Sequence, residues 1–554
     1  MRSRQLYPVL LAAFPAIQLA GANPGQYDPQ DLIEILAVLF TAVAAMALLL
    51  RLVLPPNKGE VIPALLSALV VWSFLYMPVY RRVHEHSGLH TAHAITILGG
   101  AAITGALLAW IGRKPRRAAM VDRFMTLLTL LITVPWTIKL LKDAFAIRNE
   151  VAQSALAGEL GAPLARQGPG AAGTSVRPDV YIIVLDMYAG SEILRERYGF
   201  DNHPFEDSLR TLGFFIPRIV RSNYNQTTYS LPSLLNFAHM TGILRDVGRG
   251  PAEVPLAYYL LGHDRTSRFL RSLGYRMAFF PSSWWPGTAD HAEADQRFHA
   301  WAGTGLASLL ARSDLRRHLR AKTPLALLDL SKADLSHVNN TIGGLKRVPE
   351  IPGPTLALAH ILLPHTPIVT TADCRPVAGR LPSDSAEAAR EYVRQYLGQV
   401  ACTNRILLDL VTTLLRRSPT PPIILLQGDH GATAVEPFTE QWHTPAVQEL
   451  RAQFETFGAY YLPGHGERAL GKDVALVNLL GDLLRYYFGL ESLPREPDTL
   501  HYLLRPTDEA VRLLRVPARL LARAGGDRAV HASPYARPEN HRPGAARALG
   551  SATR

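Results

Sequence analysis

Two acids and a histidine stand where strands would end. Residues 180–185 (VYIIVL) form a short apolar run that stops at Asp186, and residues 422–426 (PIILL) form another that leads to Asp429 and His430. Runs apolar at every position and rich in β-branched residues are expected of strands buried on both faces of a parallel sheet. Ligands of open α/β sheets collect at the carboxyl ends of strands, so Asp186 can converge with Asp429 and His430 across a long stretch of sequence. Carboxylates with an imidazole make a mixed O/N donor set suited to a divalent metal. Taken singly, Asp186 could equally cap a helix that follows its strand.

A nucleophile type lies between the two runs. Thr227 and Thr228 follow the loop NYNQ and precede Ser230-Leu-Pro-Ser-Leu-Leu-Asn, which begins an apolar helical pattern. A hydroxyl there would sit at a helix N-terminus, where free N–H groups and the helix dipole favour an anion such as phosphate. On spacing alone either threonine or Ser230 could instead be a cap.

The ordered set of Asp186 after a strand, Thr227 in T-x-x-S-x-P, His365 in H-x-P and Asp429-His430-Gly431 after a late strand resembles the alkaline-phosphatase/sulfatase superfamily. The resemblance is to its membrane-embedded branch of lipid A phosphoethanolamine transferases and lipoteichoic acid synthases, over residues 178–488. It implies a metal held by Asp186, Thr227, Asp429 and His430, with Thr227 also the nucleophile. Ser230 at +3 and Pro232 at +5 select Thr227 over Thr228. It further implies that His365 contacts the substrate phosphate or leaving group, and that His443, thirteen residues beyond His430, is a second active-site histidine. The first acid of the branch is often Glu, so Asp186 shortens the reach by a methylene. His360, inside the apolar run 356–363, is expected to be a hydrogen-bonded strand histidine without a catalytic role.

The resemblance does not extend to sulfatases that convert a cysteine to formylglycine. Cys374-Arg-Pro-Val begins such a motif, but Ala378 stands where arginine belongs. Cys374 and Cys402, the chain's two cysteines, could pair as a disulfide in an exported domain.

The elements that would position this chemistry begin in a membrane. Apolar stretches at 7–22, 32–54, 61–80, 91–111 and 124–141 approach or reach the length needed to cross a bilayer. The first also has the form of a signal peptide, but further spans follow at once and it is expected to be retained. Arg113, Lys114, Arg116, Arg117 and Arg123 crowd the loop before the fifth span, Arg51 and Lys58 flank the loop after the second, and the first loop has no basic residue. By the positive-inside rule the N-terminus and both basic loops are cytoplasmic, although Arg81 and Arg82 argue mildly otherwise. Five spans then place the remainder outside, on the periplasmic face of an inner membrane in a cell with two membranes. The spans carry almost no charge of the kind that marks a transport path.

The expected organisation is therefore a helical membrane bundle of about five spans at 1–150, a flexible linker at 151–176, an α/β/α sulfatase-like domain with a central, mostly parallel sheet at 177–500, and a basic, partly disordered tail at 501–554. Helices are expected at 205–212, 266–273, 386–416 and 474–488, strands at 276–280 and 459–462, and a continuation of the last span as an amphipathic helix at 142–150. Trp284 and Trp285 read as packing or membrane-facing residues. The tail holds ten Arg against four acids, half of the chain's net charge of +12, with a helix expected at 503–524. No nucleic-acid-reading module accompanies that charge, so anionic lipid is the expected partner.

The chemistry expected is metal-dependent phosphotransfer from a phospholipid through a phospho-threonine ester, which a glycan or lipid acceptor, or water, then resolves. Zinc is expected ahead of manganese. The competing readings are a membrane-tethered phosphodiesterase, phosphatase or sulfatase-like hydrolase, and a membrane protein with a decayed site.

Overall fold

A computed structural model of the protein describes residues 6–55, 59, 61–84, 89–168, 177–248, 250–282, 286–298, 305–377, 386–432, 447–491, 493–506, 511–517 and 520–521. His443, Trp284, Trp285 and the tail beyond 521 lie outside the described residues.

Five helices open the chain: α1 (Leu6–Ala22), α2 (Pro29–Val53), α3 (Ile62–His84), α4 (Leu89–Gly112) and α5 (Pro115–Ala152). Large apolar side chains such as Leu52, Leu98, Leu127 and Leu131 point out of this bundle, which is the surface expected against lipid. Four of the five, α2 to α5, are long and apolar enough to cross a membrane; α1 has 17 residues and is shorter than expected of a span. It instead sits inside, with Ala12, Ala13, Ala16 and Ala20 buried, small residues that let helices approach closely. The helix expected at 142–150 is the unbroken continuation of α5.

The region that follows docks on one end of this bundle. Arg316 forms ion pairs with Asp31 and Glu34 at the start of α2, and Ala326 packs on Tyr76 and Tyr80 near the end of α3. Gly25, between α1 and α2, lies against Pro255. All of these contacts lie at the end of the bundle away from the basic residues 113–123.

The residues expected to form a linker begin with a short helix, α6 (Ala155–Gly161). Ser154 caps it, and Leu156 and Leu160, one turn apart, bury against Tyr224 and Met240. That apolar pair overrides the glycine-rich composition; residues 169–176 lie outside the described residues.

Among the described residues eleven strands follow: β1 (Val180–Leu185), β2 (Ile219–Arg221), β3 (Arg276–Phe280), β4 (Gln296–Arg297), β5 (Thr355–Ile361), β6 (Ile423–Gly428), β7 (Glu455–Thr456), β8 (Gly458–Tyr461), β9 (Asp473–Ala475), β10 (His501–Pro506) and β11 (Val511–Val516). Six of them make the central sheet in the order β4-β3-β5-β1-β6-β8, parallel except for β8. Alternate residues of β1 enter two cores. Tyr181, Ile183 and Leu185 pack towards the helix Ala386–Arg417, and Val180, Ile182 and Val184 pack towards the helices Thr227–Asn236 and Leu476–Phe488. The domain is thus a sheet between helical layers, as the sequence implied.

The tail departs most from expectation. Residues 501–506 and 511–516 pair as an antiparallel hairpin, not as a helix. Its alternating Leu503 and Leu504 fall into separate clusters, and the Tyr502 N–H donates to Asn223 O, so tertiary pairing overrides helical propensity. The expected helix at 474–488 likewise starts two residues late, because Asp473–Ala475 pairs with β2.

Candidate functional site

Register brings the site together. Leu185 is level with Ile361 of β5 and Gly428 of β6, so the carboxyl ends of three adjacent strands lie side by side. The ladder continues one step further, with the Asp186 N–H on Ile361 O and the Asp429 N–H on Leu185 O. Two glycines permit this turn: a Cβ on Gly428 would lie 2.1 Å from Thr456 Oγ1, and one on Gly431 would lie 2.0 Å from Ala452 O.

Asp186 and Asp429 are fully buried and His430 nearly so. Asp429 Oδ1 accepts the N–H groups of Met187 at 3.0 Å and His430 at 2.8 Å. Met187 holds φ of +60°, a left-handed backbone that a side chain rarely adopts, and so aims its N–H at this carboxylate. His430 Nδ1 donates to Gly431 O at 2.8 Å, which leaves Nε2 as the basic nitrogen of the neutral ring. That nitrogen lies 3.7 Å from Asp186 Oδ1 and 3.5 Å from Asp429 Oδ2.

Both Asp186 oxygens and Asp429 Oδ2 have no hydrogen-bond partner among the described residues. Burial, then the neighbouring Asp429, push the Asp186 carboxyl well above the ordinary range, and His430 opposes them. Two buried carboxylates with unbonded oxygens call for a cation. Ligand atoms of Asp186, Asp429 and His430 all lie within 4.8 Å of one another, so the residues present fit a metal ion.

Thr227 is the first residue of the helix Thr227–Asn236 and is buried, with Oγ1 3.4 Å from His430 Nε2. Ser230 Oγ donates to Asp429 O and shares a 2.9 Å hydrogen bond with Ser222 Oγ. The serine three residues after Thr227 thus ties the threonine helix to the strand end that carries Asp429.

His365 is half-buried on the segment that leaves β5, with Nδ1 donating to Thr366 O at 2.6 Å. Burial lowers its pKa, while the bond to Thr366 O and the charge of Asp429 act to raise it.

His360 enters the site unannounced. It lies next to the end of β5, in register with Val184, and its Nδ1 is 3.3 Å from Ser282 Oγ. Its Nε2 points at Asp186 Oδ2 at 3.6 Å and has no hydrogen-bond partner among the described residues. Burial holds the ring neutral, with its pKa lowered to about 4. The signal that could have found it is a histidine near the carboxyl end of an otherwise apolar parallel strand.

No family model and no curated protein matches this chain. Among solved structures it is similar to the C-terminal periplasmic domain of EcEptC from Escherichia coli in complex with Zn, at 13% identity and a TM-score of 0.40, over 64% of this chain and 96% of that one. It is also similar to the integral membrane lipooligosaccharide phosphoethanolamine transferase A (EptA) from Neisseria meningitidis, at 13% identity and a TM-score of 0.37, over 87% and 94% of the two chains. A third is the phosphonate monoester hydrolase of Agrobacterium radiobacter, at 12% identity and a TM-score of 0.38, over 59% and 80%. All three belong to the alkaline-phosphatase/sulfatase superfamily. The architecture described above rests on this chain's own sheet order, and the chemistry on its own site.

Proposed function

We propose that this protein is a metal-dependent phosphotransferase that acts on a phospholipid headgroup through Thr227. The observation that carries the reading is a buried threonine hydroxyl at a helix N-terminus, 3.4 Å from the basic nitrogen of His430 and beside carboxylate oxygens that lack partners. Asp186, Thr227, Asp429 and His430 would hold the ion, zinc ahead of manganese for this mixed donor set. When bound, such an ion lowers the pKa of a hydroxyl and offsets charge on a phosphoryl group.

Thr227 Oγ bonds to phosphorus and the lipid alcohol leaves, giving a phospho-threonine ester. The helix N-terminus behind Thr227 favours the phosphoryl anion. His365, whose Nδ1 donates to Thr366 O, would hold a proton for the leaving or the accepting hydroxyl. A glycan or lipid hydroxyl then resolves the ester. His443 is proposed as a second histidine of this site.

A lipid donor is favoured over a soluble one by a cavity of about 1050 Å³ where the bundle meets the catalytic domain. Leu32, Leu140 and Ile147 line it from the membrane side and Tyr258 from the catalytic side. The catalytic region sits opposite the arginine-rich loop, which favours an extracytoplasmic domain on the inner membrane. Residues 177–500 are proposed as the catalytic unit, with β10 added to it.

Incubation with zinc and phosphatidylethanolamine, followed by mass spectrometry, is expected to find phosphoethanolamine on Thr227. Asp429→Asn with His430→Gln is expected to lose both the metal and the adduct. Undiminished metal content in that double variant would remove the site as drawn.

A further inference from the structure

The helix Ala386–Arg417 runs behind the site and turns polar side chains toward it at roughly one-turn intervals. Tyr392 lies one turn before Tyr396, whose Oη donates to Met187 O at 2.9 Å, beside Asp186. Between them and the disulfide lies Gln399, which is fully buried. Its Nε2 donates to Pro364 O at 3.0 Å and to His365 O at 2.8 Å, and its Oε1 accepts the Val369 N–H at 2.8 Å. Three residues further on, Cys402 is bonded to Cys374 on the same segment. One side chain therefore binds the backbone on both sides of His365.

We infer that Gln399 is a positioning residue that fixes the imidazole of His365 for the role proposed above. This rests on the role proposed for His365 above. Residues 362–368 follow β5 outside the strand ladders found among the described residues, so their buried carbonyls need donors from elsewhere. Gln399 supplies two of them, and by holding the carbonyls of 364 and 365 it sets the direction in which the His365 side chain leaves the backbone. The Nδ1 contact with Thr366 O then sets the ring's rotation. An amide suits this task because it offers two donors and an acceptor from one rigid plane. The disulfide anchors the far end of the segment, and Gln399 anchors the end that carries the histidine.

The test uses full-length protein in detergent with zinc, phosphatidylethanolamine micelles as donor, and diacylglycerol release as the readout. Gln399→Met keeps the length and apolar bulk of the side chain and removes all three bonds. It is expected to lower kcat roughly tenfold to a hundredfold, the scale of a small misplacement of a reacting group, with KM and metal content unchanged. Gln399→Glu, which keeps the acceptor for Val369, is expected to recover part of that loss, and it carries the comparison if Gln399→Met does not fold. Thr403→Val removes a buried bond one turn away that stays within the helix, and it is expected to leave kcat unchanged. His365→Ala combined with Gln399→Met is expected to be no slower than His365→Ala alone. Losses that multiply in the double variant, or an unchanged kcat in Gln399→Met beside a reduced one in His365→Ala, would overturn the positioning role. Full kcat in His365→Ala would instead overturn the role proposed for that histidine, and this inference with it.

Discussion

At the scale of single residues, the two adjacent threonines have different surroundings. Thr227 Oγ1 lies 3.4 Å from His430 Nε2, whereas Thr228 has no hydrogen bond to that histidine among the described residues. Thr227→Ala is therefore expected to abolish turnover and the covalent adduct, and Thr228→Ala to retain substantial activity. In-line displacement tolerates little displacement of the attacking oxygen, so the two hydroxyls are not interchangeable. Thr227→Ser keeps the hydroxyl but loses the stiff β-branched rotamer, and it is expected to keep part of the rate. Diacylglycerol release and adduct mapping check all three variants. An adduct on Thr228 would move the nucleophile by one residue.

At the scale of elements, β10 braces the loop that leads into the threonine helix. Tyr502 N–H donates to Asn223 O, Leu504 N–H to Asn225 Oδ1, and His501 Nδ1 to Ser222 O at 3.0 Å. Burial lowers the pKa of His501 from 6.5 to about 4. Between these values the unfolded chain binds a proton that the folded chain does not. This group's contribution to stability is therefore present above about pH 6.5 and falls as the pH drops toward 4. The loss is about 1.4 kcal/mol per pH unit across that window. His501→Gln can still donate to Ser222 O but does not titrate, so the stability of this variant is expected to fall less steeply with acid than that of the parent. Unfolding midpoints at several pH values check this; parallel acid limbs would refute it.

At the scale of the whole molecule, the ion pairs of Arg316 with Asp31 and Glu34 seat the catalytic region on the end of the bundle that lacks the arginine cluster. A reporter active only outside the cytoplasm is expected to work when fused after Glu150 and to be silent when fused near Arg117. The reverse pattern would place the site in the cytoplasm. With α1 buried among its neighbours, the fate of this short helix bears on the packing of the bundle as well as on its topology. Removal of residues 1–22 is expected to expose the faces of α2, α3 and α5 that it covers, read out as aggregation in detergent.

The sequence by itself determined the strands at 180–185 and 276–280, the long helix from Ala386 and the placing of Asp186, Asp429 and His430 at strand ends, because continuous apolar runs and helical periodicity are local signals. It also placed a threonine at a helix start. It did not determine that His360 turns toward Asp186, that Gln399 holds the segment of His365, or that residues 501–506 pair beside the loop of Asn223. Each of those depends on which strand ends lie level and which backbone groups remain without donors after the sheet forms. Those facts arise between residues far apart in the chain, so only the tertiary structure decides them.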